Sequence, residues 1–165
     1  MEHLLQQQQA QQTCAVCQVS SREKELKRCA ACQAVWYCDA EHQKQHWKTH
    51  KAICKLIPEA HRNGFAKKVL KEGNNERFPK RGNTVKVHYT GTLLNDKQFD
   101  SSREKGRPFV FVIGKKNVIK GWDEGVLTMS VGERSLFVIS PEWAYGESGI
   151  EPVATLVFDV ELLEV

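Results

Sequence analysis

Residues 155–165, TLVFDVELLEV, place Leu156, Phe158, Val160 and Leu162 on one side of an alternating pattern. Successive side chains of a strand point to opposite faces, so this stretch reads as a strand with a buried face. TVKVHYTGTL (84–93) repeats the pattern, with Val85, Val87 and Tyr89 pointing one way. Two apolar runs, FVFVIG (109–114) and SLFVIS (135–140), are bounded by Pro, Gly or Ser and read as further strands. Between them the period changes: in NVIKGWDEGVLTM (117–129), Ile119, Trp122, Val126 and Met129 fall at helical spacing. Gly121 and Gly125 make this a poor helix by propensity, so packing must hold it. Several antiparallel strands and one short helix against a sheet face predict an α+β domain.

The part of the chain before this domain has a different composition. All six cysteines lie between residues 14 and 54, and the rest of the 165-residue chain has none. In a reducing compartment such clustering argues for metal rather than disulfides. The start, MEHLLQQQQAQQ, lacks the basic segment and long apolar stretch of a secretory signal. It reads as a disordered glutamine-rich tail, and no apolar run is long enough to span a membrane. These features predict a cytoplasmic or nuclear protein. The expected division is a tail (1–12), a cysteine/histidine module (13–56), a connector (57–65) and a cysteine-free domain (66–165). The clean segregation of cysteines from core suggests two units that fold independently. The formal charge of +4 would fall to about +2 with six thiolates and two zinc ions. That is too small to point to nucleic acid.

Two CxxC pairs, Cys14 with Cys17 and Cys29 with Cys32, each suit one metal ion, and zinc normally takes four nitrogen or sulfur ligands. Downstream, YCDAEHQKQHWKTHKAIC (37–54) supplies Cys38, His42, His46, His50 and Cys54, the last four spaced by four residues. On a helix that spacing stacks side chains on one face. Two CxxC pairs on one ion would leave the later ligands idle, so two ions fit better. The alternative, cysteines as small buried hydrophobes, suits poorly a segment with too few large apolar residues to fold without staples.

The order of these ligands resembles the MYND-type zinc finger, in which the first and third ligand pairs share one ion and the second and fourth the other. The resemblance implies two structural zinc ions, each Cys3His: Cys14, Cys17, Cys38 and His42 on one, and Cys29, Cys32, His50 and Cys54 on the other. Gln43, Trp47, His50 and Cys54 match the family's QxxxWxxHxxxC. Many members have cysteine at the place of His42, and His46, one turn on, is the competing ligand. If His42 binds, His46 is expected to face solvent or a partner. MYND fingers usually bind proline-containing partner peptides, and the resemblance implies the same here. Lys44, Lys48, Lys51 and Lys55 could contact phosphates. With Glu23, Glu25, Asp39 and Glu41 diluting the field, they read as a solvated face.

The C-terminal motifs VHYTGTL, FDSSREKGRPFVFVIG, VIKGWDEGV, MSVGER, PEWAYG and ATLVFDVELL follow one another as in the FK-binding immunophilins, the FKBP-type peptidyl-prolyl isomerases. The resemblance implies a half-open antiparallel sheet wrapped around a short helix. It also implies a proline pocket with Trp122 as floor and Tyr89, Phe99, Phe109 and Phe158 as walls, with Val118 among the lining positions. The N–H of Ile119 and the hydroxyl of Tyr145 would bond ligand carbonyls, and Asp100 would be the carboxylate at the rim. One departure lies in ESGIEP (147–152), about four residues shorter than in small members, with Glu151 where proline is usual. The function implied is cis–trans isomerisation of Xaa-Pro bonds in polypeptides, as in protein folding, with macrolides such as tacrolimus or rapamycin as further ligands. A non-catalytic adaptor that holds proline-containing segments is the competing reading.

Overall fold

The computed structural model describes residues 12–148 and 154–165. The glutamine-rich tail up to residue 11, and Ile150, Glu151 and Pro152 of the shortened loop, lie outside the described residues. The alternating segments form one antiparallel sheet of six strands: β3 (Phe65–Lys71), β4 (Thr84–Leu93), β5 (Gln98–Ser101), β6 (Phe109–Val112), β7 (Arg134–Ile139) and β8 (Leu156–Glu164). Their spatial order is β3-β7-β8-β4-β5, and β6 shares the outer side of β4 with β5. The N-terminal module has two short paired strands, β1 (Lys27–Arg28) and β2 (Trp36–Tyr37), then helix α1 (Ala40–His50). Helix α2 (Leu56–Asn63) follows, and α3 (Lys120–Gly125) precedes a 3-10 turn at Val126–Thr128.

The concave face of the sheet carries the main core. Val85, Val87, Tyr89, Phe137, Ile139, Phe158, Val160 and Leu162 close on Trp122, Val126 and Met129 of the α3 segment. The two glycines that weaken α3 are what let it approach. A Cβ on Gly121 would lie 2.6 Å from Ile139 side-chain atoms, and one on Gly125 would lie 3.0 Å from Phe137. Tertiary packing overrides propensity here.

The opposite face is covered as well, and this changes the expected organisation. Ala66, Val138 and Val157 on the back of the sheet pack into a second core with Ile57 and Ala60 of α2 and with Ala15, Val35, Tyr37 and Ile53 of the module. The connector is therefore not a bare linker. Its residues 56–63 form α2, with Ile57 and Ala60 fully buried. Pro58 falls in the first turn, where a missing N–H costs nothing. His61 Nε2 lies 2.9 Å from Thr155 Oγ1, just ahead of β8. Ile53, Ile57 and Ala60 recur at helical spacing, and this apolar stripe binds module to sheet. Two independently cored units are thus replaced by units that share a core.

Candidate functional site

Each CxxC pair is a tight knuckle of the same construction. The N–H of Gln18 donates to the carbonyl of Cys14 at 3.0 Å, and that of Gln33 to the carbonyl of Cys29 at 2.9 Å. Gln18 and Gln33 both take left-handed backbone angles, φ 63° and 59°, a conformation that ordinarily costs an L-residue about 1–2 kcal/mol. The turns aim backbone N–H groups at the sulfurs. Burial acts to raise the Cys14 thiol, but N–H groups of Cys17, Val16 and Cys38 outweigh it and lower it to about 6. Asp39 caps α1, its carboxylate accepting from the His42 N–H at 2.8 Å, and so sets the start of the helix that carries the histidines.

Two four-ligand clusters result: Cys14, Cys17, Cys38 and His42, and Cys29, Cys32, His50 and Cys54, with all donor atoms of a cluster within 4.8 Å of one another. In the first, Cys17 and Cys38 sulfurs are 3.7 Å apart, and His42 Nδ1 is 3.1 Å from Cys38 and 3.6 Å from Cys14. In the second, Cys29 and Cys54 sulfurs are 3.8 Å apart, and His50 Nε2 is 3.5 Å from Cys32. A tetrahedral zinc ion with Zn–S near 2.3 Å requires edges of about 3.6–3.8 Å. The edges of 3.5–3.8 Å have about that size, and the His42–Cys38 edge is shorter at 3.1 Å. Burial, then the neighbouring sulfurs, push Cys54 up to about 12, a crowding that a divalent cation relieves. Burial, then His46, lowers His50 to about 4, leaving its ring neutral and able to ligate. Four protein donors fill each tetrahedron, so the role that the clusters support is structural cross-linking.

His46 does not face solvent. It is 5% exposed, its Nδ1 lies 2.7 Å from the Tyr37 hydroxyl, and its ring stacks on His50. The spacing of four that makes it look like a ligand turns it inward beside the second cluster.

The nine aromatic, aliphatic and acidic positions singled out in the C-terminal domain line one cleft of about 520 Å³. Trp122 forms its base, 4% exposed, with Tyr89, Phe109 and Phe158 set edge-on around the indole at centroid distances of 4.8, 5.9 and 5.3 Å. Phe99 meets Phe158 edge-on at 5.6 Å, and Val118 and Ile119 close the side at the head of α3. Among the described residues, no acceptor is paired with the Ile119 N–H or the buried indole N–H of Trp122. Tyr145 stands at the mouth, half exposed. Asp100 accepts from the Tyr89 hydroxyl and, at 2.8 Å, from Lys105 Nζ. Burial acts to raise its carboxyl, but Lys105 and Tyr89 outweigh this and hold it below the usual carboxylate range. Burial, then Asp100, raises the Tyr89 and Tyr145 phenols.

Residues 75–163 match the family model of the FKBP-type peptidyl-prolyl cis-trans isomerase. The chain belongs to that family. Residues 14–54 match the model of the MYND finger. The chain is similar to the "Peptidyl-prolyl cis-trans isomerase FKBP1A" of Xenopus laevis, 53% identical over 104 residues, which cover 61% of this chain and 96% of that protein. "FK506-binding protein 1" of Yarrowia lipolytica has the same identity and coverage. "Peptidyl-prolyl cis-trans isomerase Fkbp12" of Drosophila melanogaster is 54% identical over 97 residues, covering 56% and 90%.

Three residues of the isomerase domain that sequence reasoning passed over belong to the site. Lys105 and Asn117 line the cleft. Asp123 is buried beneath it, its carboxylate accepting from the N–H groups of Gly114 and Lys116 at 2.9 Å each. It thereby shapes the loop that delivers Val118 and Ile119. Lys105 follows the Asp100 turn and looks like a solvated charge; only Asp123, five residues after Val118 on a helix facing inward, carried a signal, as an acid one step from a buried tryptophan.

Gly91 sets the wall geometry. A methyl there would lie 2.7 Å from Phe99 and 2.8 Å from Phe158 ring atoms. Gly91→Ala is expected to displace both rings, cost about 1–3 kcal/mol of stability and weaken cleft ligands. Thermal denaturation and ligand titration check the two effects; unchanged affinity would mean that the walls adapt.

Proposed function

We infer that this chain catalyses cis–trans isomerisation of Xaa-Pro bonds in polypeptides, and that its finger recruits proline-containing partners. The observation that supports this best is the aromatic cleft with Trp122 at its base. Rotation about the bond costs about 18–20 kcal/mol because twisting removes amide resonance. The twisted amide has less charge separation than the planar one, so an apolar cleft favours it. The proline ring would lie on Trp122 between Tyr89, Phe99, Phe109 and Phe158. The Ile119 N–H would anchor a substrate carbonyl, and Tyr145 would hold the displaced one. Asp100, already engaged by Tyr89 and Lys105, orients the wall rather than exchanging protons. A barrier lowered by about 5.5 kcal/mol gives roughly 10⁴-fold acceleration, turning a step of about 10–100 s into milliseconds. The same cleft suits macrolides such as tacrolimus.

At the finger, Trp47 is half exposed and Gln43 lies one turn before it on the outer side of α1. An exposed indole beside an amide suits proline rings and peptide carbonyls. Six thiols free of disulfides suit a reducing cytoplasmic or nuclear compartment, and among the described residues no helix is long and apolar enough to cross a membrane.

Exchange spectroscopy on an Xaa-Pro peptide with the whole chain, with and without tacrolimus, tests the reading. Drug-sensitive acceleration is expected. Binding without acceleration would leave the adaptor, since tight binding of the planar ground state suppresses turnover. The same rate should be flat between about pH 5 and 8. Asp100, lowered, stays charged throughout, and Tyr89 and Tyr145, raised, stay neutral. A bell-shaped profile in that window would bring a proton-transfer group into the chemistry.

A further inference from the structure

We propose that Asp96, at the tip of the isomerase domain's β4–β5 hairpin, is a positioning residue for the finger's second metal site and acts on it through His46. The hairpin turns at Leu93–Lys97, with the Asp96 N–H donating to the Leu93 carbonyl at 3.1 Å. Asp96 takes the left-handed conformation, φ 69°, where glycine is cheaper. Its side chain supplies what glycine would not. One carboxylate oxygen accepts from Thr49 Oγ1 of α1 and lies 3.3 Å from His46 Nε2. That ring nitrogen has no hydrogen-bond partner among the described residues, so the carboxylate meets it as a close charge contact, while the ring's Nδ1 lies 2.7 Å from the Tyr37 hydroxyl. His46 is therefore hydrogen-bonded on one side within the finger and flanked on the other by a carboxylate of the isomerase domain.

This placement matters because of what His46 touches. Its ring stacks on His50 at 5.3 Å and 15°, and Trp47 meets His50 edge-on at 5.9 Å. A metal-binding histidine normally donates its second N–H to a carboxylate or carbonyl, which fixes ring orientation. His50 Nδ1 is buried and has no such partner among the described residues. The orientation of its ligating Nε2 thus rests on packing, chiefly against His46. Among the described residues the first cluster has no equivalent contact with the hairpin, and the bonds of its His42 lie within the finger.

The test uses Asp96→Gly in the full chain, which suits the left-handed backbone and removes only the side chain. The protein is loaded with cadmium, whose NMR resonances report each Cys3His site separately, and challenged with a chelator. Loss from the second site should be about 10-fold faster than in the native chain, in line with outer partners of metal ligands, while loss from the first site is unchanged. His46→Ala should give the same selective effect. A role confined to the turn predicts an unchanged or slower release from Asp96→Gly, and equal acceleration at both sites would indicate general loosening; either result overturns the proposal.

Discussion

Stripping both metal ions should unfold the finger and also lower the stability of the isomerase sheet. Structural zinc sites in finger peptides contribute about 10–16 kcal/mol at neutral pH, more than the finger's few large apolar residues can replace. Beyond this, the finger and α2 cover Ala66, Val138 and Val157 on the back of the sheet. Full burial of one valine is worth about 1.5–3 kcal/mol, and α2 should retain part of its cover. The sheet is therefore expected to lose about 3 kcal/mol, a fall in Tm of about 10–20 °C for a domain of this size. It should still fold, since the main core on its other face, from Val85 to Leu162, is untouched by the finger. Loss should be stepwise. Cys17 is exposed and Cys38 and His42 half-buried in the first cluster, whereas all four ligands of the second are buried. The first ion should leave first, with little effect on the sheet. Calorimetry on the chelated chain, with NMR of the sheet amides, decides the matter. An unchanged sheet transition after complete metal loss would show that the shared core carries no energy between the units.

The elements whose signal is local were legible in the sequence. Period-two alternation marked β4 and β8, and the cysteine pairs and the row of histidines announced a metal site by residue type and spacing, while the set of eight ligands came from the resemblance to the MYND-type finger. What escaped depends on contacts distant in sequence. SLFVIS is apolar at successive positions because β7 sends Phe137 and Ile139 into one core and Val138 into the other. An unbroken apolar run is the mark of a strand covered on both faces, but it does not say what covers it. The cover was hidden in the connector, where Ile57 and Ala60 form a single short stripe interrupted by Pro58. His46 carries the same ambiguity, since one helical face presents three histidines and only the fold says which meet metal. Asp96 reads as an ordinary turn residue, and its reach to Thr49 spans 47 positions.

Replacing Trp122 should separate the two duties that this residue combines. The indole is at once the base of the cleft and part of the main core, touching rings from β4, β6 and β8. Trp122→Ala should cost about 3–5 kcal/mol through lost burial and the cavity left behind, a large share of the stability of a small domain. It should also abolish measurable isomerase activity, since under the proposed function the proline ring would lose the surface that holds it. Trp122→Phe should behave differently. It keeps an aromatic floor and deletes a buried N–H that has no acceptor among the described residues. Leaving such a donor unpaired costs about 1–3 kcal/mol, so its removal offsets part of the lost area, and the net destabilisation should stay near 1 kcal/mol. A smaller floor also leaves the twisted amide less fully desolvated. Turnover should then fall roughly tenfold, about 1.4 kcal/mol in barrier, in a protein that melts almost normally. Paired melting curves and peptide exchange rates read the two quantities independently. If Trp122→Phe lost stability as heavily as Trp122→Ala, the unpaired indole N–H would have a partner that contributes to the fold. If it kept full turnover, the twisted bond would be held chiefly by the walls, and Tyr89, Phe99 and Phe158 would take over the role assigned to the floor.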